Sequence, residues 1–237
     1  MKKKVIFFDL GETLVYRNPS LVNISFRFLK KEGYNIPKKY LSEVLNACAL
    51  KMRPIVESGK ISDSKKWEIY ISMVFKKLNI KNKNLMLNLM QHLKKGTSFR
   101  LFSDVKKSLI YLKKKGFKLG IISNASPEAE NILKRTGIYD IFDSIIISEK
   151  VGFEKPDVNI YKKALKTINV LPEETIFVGD NFIADIKGAI KANITPVWLR
   201  RKSKNNEFSY DGNTTAKVFK IKDISGLIKL IKKEGWN

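Results

Sequence analysis

The sequence predicts an α/β fold: a doubly wound, mostly parallel sheet with an inserted α-helical domain. Three observations predict it. Short apolar runs recur along the chain, each stopped by polar residues or glycine, as strands buried on both faces of a parallel sheet are. Between most of these runs lie segments of helical periodicity, and strand–helix alternation marks a parallel, doubly wound core. Residues 18–97 break the alternation, with helical periodicity and no convincing strand. A connection of that length is too long to be a loop, so it reads as an insert.

Taken in order, the first run is Val5–Phe8, which follows MKKK and stops at Asp9. Four apolar residues are too few for an export leader, so nothing here marks the chain for export. The insert follows, with helices predicted at Leu21–Lys31, Lys39–Leu50, Ser64–Leu78 and Asn84–Lys94. Trp67, Tyr70 and Phe75 share helical spacing and are read as the core of that insert rather than a dimer face. Asp104–Lys115 places Val105, Leu109 and Leu112 on one face, then ends at Gly116, a residue suited to the left-handed closing position of a helix. Strand Leu119–Ile122 comes next, then helix Pro127–Arg135, with Ser126 as the expected cap, proline at the first turn and two early glutamates. Strands Ser144–Ile147, Thr175–Val178 and Pro196–Leu199 alternate with helices Val158–Ile168 and Ile183–Ala192. Polar residues 202–216 read as a surface loop, and Lys217–Ile221 and Asp223–Lys233 as a last strand and a closing helix. The domains expected are a core of residues 1–17 and 98–237, and a helical domain of residues 18–97.

Composition narrows the function classes. The 237 residues are 43% hydrophobic and 29% charged, a mix that builds a real core. No stretch approaches the roughly 18 apolar residues of a membrane span, so no membrane partner is expected. Cys48 is the only cysteine, which rules out an intramolecular disulfide and fits a cytoplasmic setting. His92, the only histidine, follows a helical pattern and is read as structural. The formal charge of +23 invites a nucleic-acid reading. Against it, only seven of the 46 basic residues are arginine, and the lysines spread over nearly every predicted helix. No zinc-finger spacing or aromatic RNA-binding run accompanies them, so no specific nucleic acid is expected. A small anionic substrate gains from the same field. The chain is read as a monomer or homodimer.

In an open α/β sheet the ligand lies beyond the carboxyl ends of the strands, so the residues just after each strand matter most. Asp9 follows the first strand, Ser123 and Asn124 the second, and Asp180 the fourth, with Asp185 five residues on. Lys155 lies in VGFEKPDVNIY, shortly before a helix. Singly, each has a plain structural reading: an aspartate can cap a helix, a Ser-Asn pair can make a turn, and a lysine can be solvated. Together they bring three carboxylates, a hydroxyl and a lysine to one edge, an inventory for handling phosphate. Two or three carboxylates can hold Mg²⁺. Ser123, nearby N–H groups and Lys155 can hold phosphoryl oxygens as charge shifts.

Four motifs in order carry a family resemblance: hhhh-D-x-x-x-T-L at Val5–Leu14, S-N at 123–124, G-x-x-K-P at 152–156 and G-D-x-x-x-x-D at 179–185. They resemble those of the haloacid dehalogenase-like (HAD) superfamily, whose Rossmann-like core would cover residues 1–17 and about 98–200. The position and length of the insert resemble that superfamily's C1-type helical cap, as in subfamily I. The resemblance implies a phosphohydrolase in which Asp9 attacks phosphorus and forms an aspartyl-phosphate. It implies that Ser123, Asn124 and Lys155 bind the phosphoryl group, Lys155 also serving catalysis. Mg²⁺ would be held by Asp9, Asp180, the main-chain carbonyl of Gly11, and Asp185 through water. A cap would exclude water and set substrate choice, with Arg17, Arg53 and Lys60 as basic candidates in or beside it.

One departure stands out. Phosphatases that this chain resembles carry a second aspartate two residues after the nucleophile as general acid, where Gly11 stands here. Such help is worth about 10²–10⁴ in rate. Its loss points to substrates with good leaving groups, to slow turnover, or to Glu12 as a substitute, although a neighbour at a strand end points elsewhere. A 2-haloacid dehalogenase and a catalytically weak phosphate-ester binding or regulatory protein are the alternatives. Gly179-Asp180 weighs against the dehalogenase, because a carboxylate beside the nucleophile calls for a cation.

Overall fold

All four residues of strand β1, Val5–Phe8, are buried, as they must be in a strand covered on both faces. The computed structural model describes residues 2–52, 55, 61, 63–95, 98–201 and 214–236. In it β1 pairs in parallel with β4 (Lys118–Ser123) on one side and β6 (Thr175–Gly179) on the other. Beyond β4 lies β5 (Ser144–Ile147). Beyond β6 lie β7 (Thr195–Leu199) and β8 (Phe219–Ile221), which completes a parallel six-stranded sheet in the order β5-β4-β1-β6-β7-β8. Phe8 stands in register with Ile121 on one side and Val178 on the other. The strand order reverses at β1, and that switch point is where a doubly wound sheet opens its ligand crevice.

Side chains alternate across the strands. On one face Phe7, Ile122, Ile146 and Phe177 pack against Ile160, Tyr161, Ala164 and Leu165 of α8 (Val158–Ile168) and Ala189 of α9 (Gly188–Lys191). Each large apolar side chain so buried contributes about 1.5–3 kcal/mol. Two further helices, α5 (Val105–Lys114) and α10 (Ile224–Lys233), pack on each other and bury Val105, Leu109, Leu112, Ile224, Leu227 and Ile231. Helix α5 is followed by Gly116 at φ +85°, the left-handed exit its sequence asks for. Asp223 caps α10, its carboxylate accepting from the Gly226 N–H at 2.8 Å.

The chain divides into two compact units, Met1–Tyr16 with Arg100–Asn237, and Arg17–Phe99. The second is helical: α1 (Leu21–Lys31), α2 (Lys38–Lys51), α3 (Asp63–Lys77) and α4 (Lys83–Lys95). Its core gathers Leu29, Leu41, Leu45, Ile71, Phe75 and Leu89. Tyr70 is buried there and donates to the Leu45 carbonyl at 3.1 Å, while Trp67 is 40% exposed. The Arg17 guanidinium lies over the rings of Trp67 and Phe99. His92 rests its ring 5.4 Å from that of Phe28. Arg53 and Lys60 fall outside the described residues, as does most of the surface loop expected at 202–216.

Four local features differ from the sequence expectation. Two short strands, β2 (Val15–Asn18) and β3 (Ser98–Leu101), form a separate two-stranded sheet. The helix expected at Ile183–Ala192 splits into a wide π-turn at Phe182–Lys187 followed by α9. Four unforeseen residues, Ser148–Val151, form a short helix α7. Ser126 does not cap α6 (Glu128–Arg135); its hydroxyl pairs with the Glu128 carboxylate at 2.9 Å instead. Among the described residues no helix is long and apolar enough to cross a membrane.

Candidate active site

The Asp9 N–H donates to the Val178 carbonyl at 2.9 Å. This carries the β1–β6 ladder one residue past the strand and delivers the carboxylate to the C-terminal edge of the sheet. Asp180 leaves β6 beside it. The Asp180 carbonyl accepts from the Trp198 indole N–H at 2.9 Å, and its Oδ1 accepts from the Thr13 hydroxyl at 3.2 Å. Ser123 ends β4 and is buried. Three adjacent strand ends thus supply Asp9, Ser123 and Asp180. One carboxylate oxygen from each of Asp9, Asp180 and Asp185 lies within 4.8 Å of the others.

Lys155 enters from the segment between α7 and α8 and is 3% exposed. Its Nζ donates to Asp9 Oδ1 and to Asp185 Oδ1, both at 2.6 Å. Asn124 fixes the lysine from behind: its Nδ2 donates to the Lys155 carbonyl at 2.8 Å and its Oδ1 accepts the Lys155 N–H at 2.7 Å. The Asn124 amide is therefore spent on placing Lys155. The Ser148 hydroxyl oxygen accepts from the Ala125 N–H at 3.0 Å, which secures the turn that carries Ser123 and Asn124.

Asp185 sits in the wide turn and is 1% exposed. Its second oxygen accepts from the Asn181 N–H at 2.9 Å. Asn181 in turn caps the turn, with Oδ1 accepting from the Ile183 and Ala184 N–H groups, both at 3.0 Å. This carboxylate lies so close to Gly179 that a Cβ there would overlap it. Glycine before Asp180 is thus a steric requirement of the site.

Three carboxylates face one ammonium, and the charge balance follows. Burial drives Asp180 well above the usual carboxylate range, and the charges of Asp9, Asp185 and Glu12 push the same way against the Thr13 hydrogen bond. Burial likewise lifts Asp185, to about 6, with Lys155 opposing and Asp9 adding to the rise. Lys155 is pulled down by burial, yet Asp185 and Asp9 together hold it above the usual lysine value. The excess negative charge suits a hard cation, and the donors are all oxygen, the set that Mg²⁺ takes.

β1 stops at Phe8, Gly11 forms an isolated bridge with Val15, and Glu12 lies in the turn between them, not on a strand end. Glu12 adopts φ +55°, a region L-residues seldom occupy, and its N–H donates to the Val15 carbonyl at 2.7 Å. The strand-alternation argument that turned Glu12 away therefore does not apply. Three polar partners of Asp180 and Asp185 were not assigned from sequence: Thr13, Asn181 and Trp198. Thr13 stands within the first motif, and Asn181 directly precedes the turn, so both carried a signal. Trp198 carried none, since its pattern is that of a buried strand.

Residues 6–199 match the haloacid dehalogenase-like hydrolase family. A protein named glyceraldehyde 3-phosphate phosphatase from Methanothermobacter thermautotrophicus is 28% identical over 96% of this chain and 99% of its own length. Among solved structures, the HAD-hydrolase YfnB from Bacillus subtilis, bound to magnesium, superposes with a TM-score of 0.73 at 18% identity, covering 98% of this chain and 100% of that one. L-2-haloacid dehalogenase from Xanthobacter autotrophicus superposes with a TM-score of 0.68 at 18% identity, over 97% and 98%. At such identity the two structures speak for the fold alone.

Proposed function

This chain belongs to the haloacid dehalogenase-like hydrolase family, and from that premise we propose that it is a Mg²⁺-dependent phosphohydrolase acting on a small phosphorylated metabolite. The observation that carries this reading is the meeting of Asp9, Asp180 and Asp185 within 4.8 Å of one another. A second buried carboxylate beside the nucleophile must be neutralised by a proton or a cation, and a cation serves an anionic phosphate substrate whereas carbon-centred dehalogenation gives no reason for one. Asp9, Asp180 and the Gly11 carbonyl would hold the ion. Asp185, with both oxygens already hydrogen-bonded, would reach it through water. When bound, the metal offsets the repulsion between Asp9 and an anionic substrate.

In this reading Asp9 attacks phosphorus, the bond to the ester oxygen breaks, and water then cleaves the aspartyl-phosphate to orthophosphate and free carboxylate. Ser123 and Lys155 bind the phosphoryl oxygens, and Asn124 serves them by fixing Lys155. With Gly11 in place of an acid, substrates with good leaving groups turn over fastest. Residues 18–97 act as a cap on the core of residues 1–17 and 98–237, and set substrate choice. The relative from Methanothermobacter thermautotrophicus makes glyceraldehyde 3-phosphate the first natural ester to assay.

Hydrolysis of p-nitrophenyl phosphate tests the reading, because an aryl leaving group needs little acid help. Release that requires both Mg²⁺ and Asp9, and so disappears with EDTA and in Asp9→Asn, is the expected result. Release that survives either removal overturns it. No release, with chloride freed from 2-chloropropionate without metal, transfers the chain to the dehalogenases.

A further inference from the structure

Tyr161 is fully buried on α8, outside all four motifs, and its hydroxyl donates to the Ala184 carbonyl at 2.6 Å. Ala184 belongs to the π-turn that carries Asp185. That turn is wide: the Asn181 carbonyl accepts from the Asp185 N–H at 2.9 Å and also from the Ile186 N–H at 3.3 Å, the latter five residues on. Wide turns are rare and weak in isolation, and they recur at functional sites. This one is held by Asn181 and Asp185 from within. Tyr161 reaches it from α8, a helix that precedes the turn in sequence.

Further facts tie Tyr161 to this task. The ring packs edge-on against Phe177 at 5.3 Å, and the Lys155 ammonium stands 5.3 Å from the same Phe177 ring. Gly188, just past the turn, has no Cβ where one would overlap the Tyr161 hydroxyl. The helix that bears Tyr161 starts three residues after Lys155, with Asp157 capping it through the Asn159 N–H at 2.8 Å. One hydroxyl therefore links the segment that presents Lys155 to the segment that presents Asp185.

We propose that Tyr161 is a positioning residue: its bond to the Ala184 carbonyl sets the separation of Lys155 and Asp185, and through that pair the placement of Asp9. It touches no substrate. Its effect on turnover rests on the phosphohydrolase reading above, whereas its effect on the lysine does not.

The test compares Tyr161→Phe with Tyr70→Phe. Both remove a buried tyrosine hydroxyl bonded to a main-chain carbonyl, the second in the helical unit, so general loss of stability is matched. Tyr161→Phe is expected to lower kcat on p-nitrophenyl phosphate at least tenfold with KM changed less than threefold, while Tyr70→Phe stays within twofold. In an Asp185→Asn background, Tyr161→Phe is expected to add less than a further twofold, since residues acting through one another are not additive. A second arm needs no activity. In lysine-selective ¹⁵N NMR the Lys155 ammonium, locked between two carboxylates, is expected to give a protected signal that broadens in Tyr161→Phe and persists in Tyr70→Phe. Equal kcat in Tyr161→Phe and wild type, a full additive loss in the Asp185→Asn background, or an unchanged ammonium signal would each overturn the proposal. If wild type hydrolyses nothing, the phosphohydrolase reading fails and the NMR arm alone decides on Tyr161.

Discussion

Two lysines are buried at opposite ends of the same sheet, and they are buried in opposite ways. At the C-terminal edge Lys155 meets two carboxylates, Asp9 and Asp185, at 2.6 Å each. At the N-terminal edge Lys3, 8% exposed, meets neutral oxygens: the Glu173 carbonyl at 2.6 Å, the Thr195 hydroxyl at 2.5 Å and the Thr175 carbonyl at 3.4 Å. The Lys3 N–H also donates to the Trp236 carbonyl at 3.2 Å, so this lysine fastens the starts of β6 and β7 and the end of the chain. Burial lowers Lys3 below the ordinary lysine value, and the Glu173 charge offsets this only in part. Lys155 ends above that value because formal charges answer its burial. What separates a staple from a site here is the charge of the partners.

The largest expected effect sharpens this contrast. Lys155→Met leaves Asp9 and Asp185 facing each other without their ammonium, and kcat/KM on p-nitrophenyl phosphate is expected to fall about 10³-fold, as when an anion-stabilising donor is lost. Lys3→Met removes the buried lysine of the opposite edge and is expected to leave kcat/KM within twofold. A comparable loss in both would break the distinction.

Next in size is a gain. The catalytic edge is rich in charge but has no acid at position 11, and a Cβ added at Gly11 meets nothing within 4 Å. Gly11→Asp should thus be accommodated, and it is expected to raise turnover of alkyl phosphates about 10²-fold, the lower part of the range for general acid help. Aryl phosphates should gain much less. Rates measured on both esters, wild type against variant, check the difference. No gain on the alkyl ester would remove Gly11 as the reason for any slow turnover.

The two lysines also predict opposite pH dependences of stability. The folded value of Lys3 is lowered, so the unfolded chain binds that proton more tightly. Its contribution then rises as pH climbs from the folded value toward 10.5. Lys155 has a raised folded value, so its contribution is full below 10.5 and is lost as pH climbs through the folded value. Thermal melts of wild type and Lys3→Met across the alkaline range read the first directly. The Tm of wild type should improve relative to the variant as pH rises, by about 2–4 °C for each kcal/mol.

How much of this could be read from sequence depended on where the constraint lies. Strands β1 and β5 were legible because Val5–Phe8 and Ile145–Ile147 are unbroken apolar runs, and only burial on both faces requires that. VYRN and SFRL, strands β2 and β3, mix apolar residues with arginine and asparagine over four residues each, too short and too exposed to leave a period. The segment FIADIKGAI reads as an ordinary helix by composition. Its widening comes from tertiary contacts, the Asp185 carboxylate lodged against Gly179 and the Tyr161 hydroxyl on Ala184. The same division runs through the site. Asp9, Ser123 and Asp180 announce themselves by following strands. That Asn124 and Asp185 are both engaged by Lys155 depends on which atoms face which, and no spacing encodes it. Tyr161 was hidden by standing where a helix needs an apolar core residue.

The smallest prediction returns to the N-terminal edge and to a polar group buried with no answer at all. Ser144 opens β5 and is buried, and its hydroxyl has no hydrogen-bond partner. Lys3, near the same edge, shows how such a group is normally accommodated, with carbonyl and hydroxyl oxygens gathered around it. An unanswered buried hydroxyl costs about 1–3 kcal/mol, while the methyl of alanine keeps the volume filled up to the missing oxygen. Alanine is somewhat less suited to a strand than other residues, which returns part of that gain. Ser144→Ala is therefore expected to stabilise the fold by about 1 kcal/mol and raise Tm by about 2–4 °C. Thr195→Val makes the paired measurement. It removes a hydroxyl that Lys3 uses and should lower Tm, although the two changes are chemically alike. If both variants shifted Tm in the same direction, partner chemistry would not govern the cost of burial at this edge, and the contrast between Lys3 and Lys155 would have to rest on depth after all.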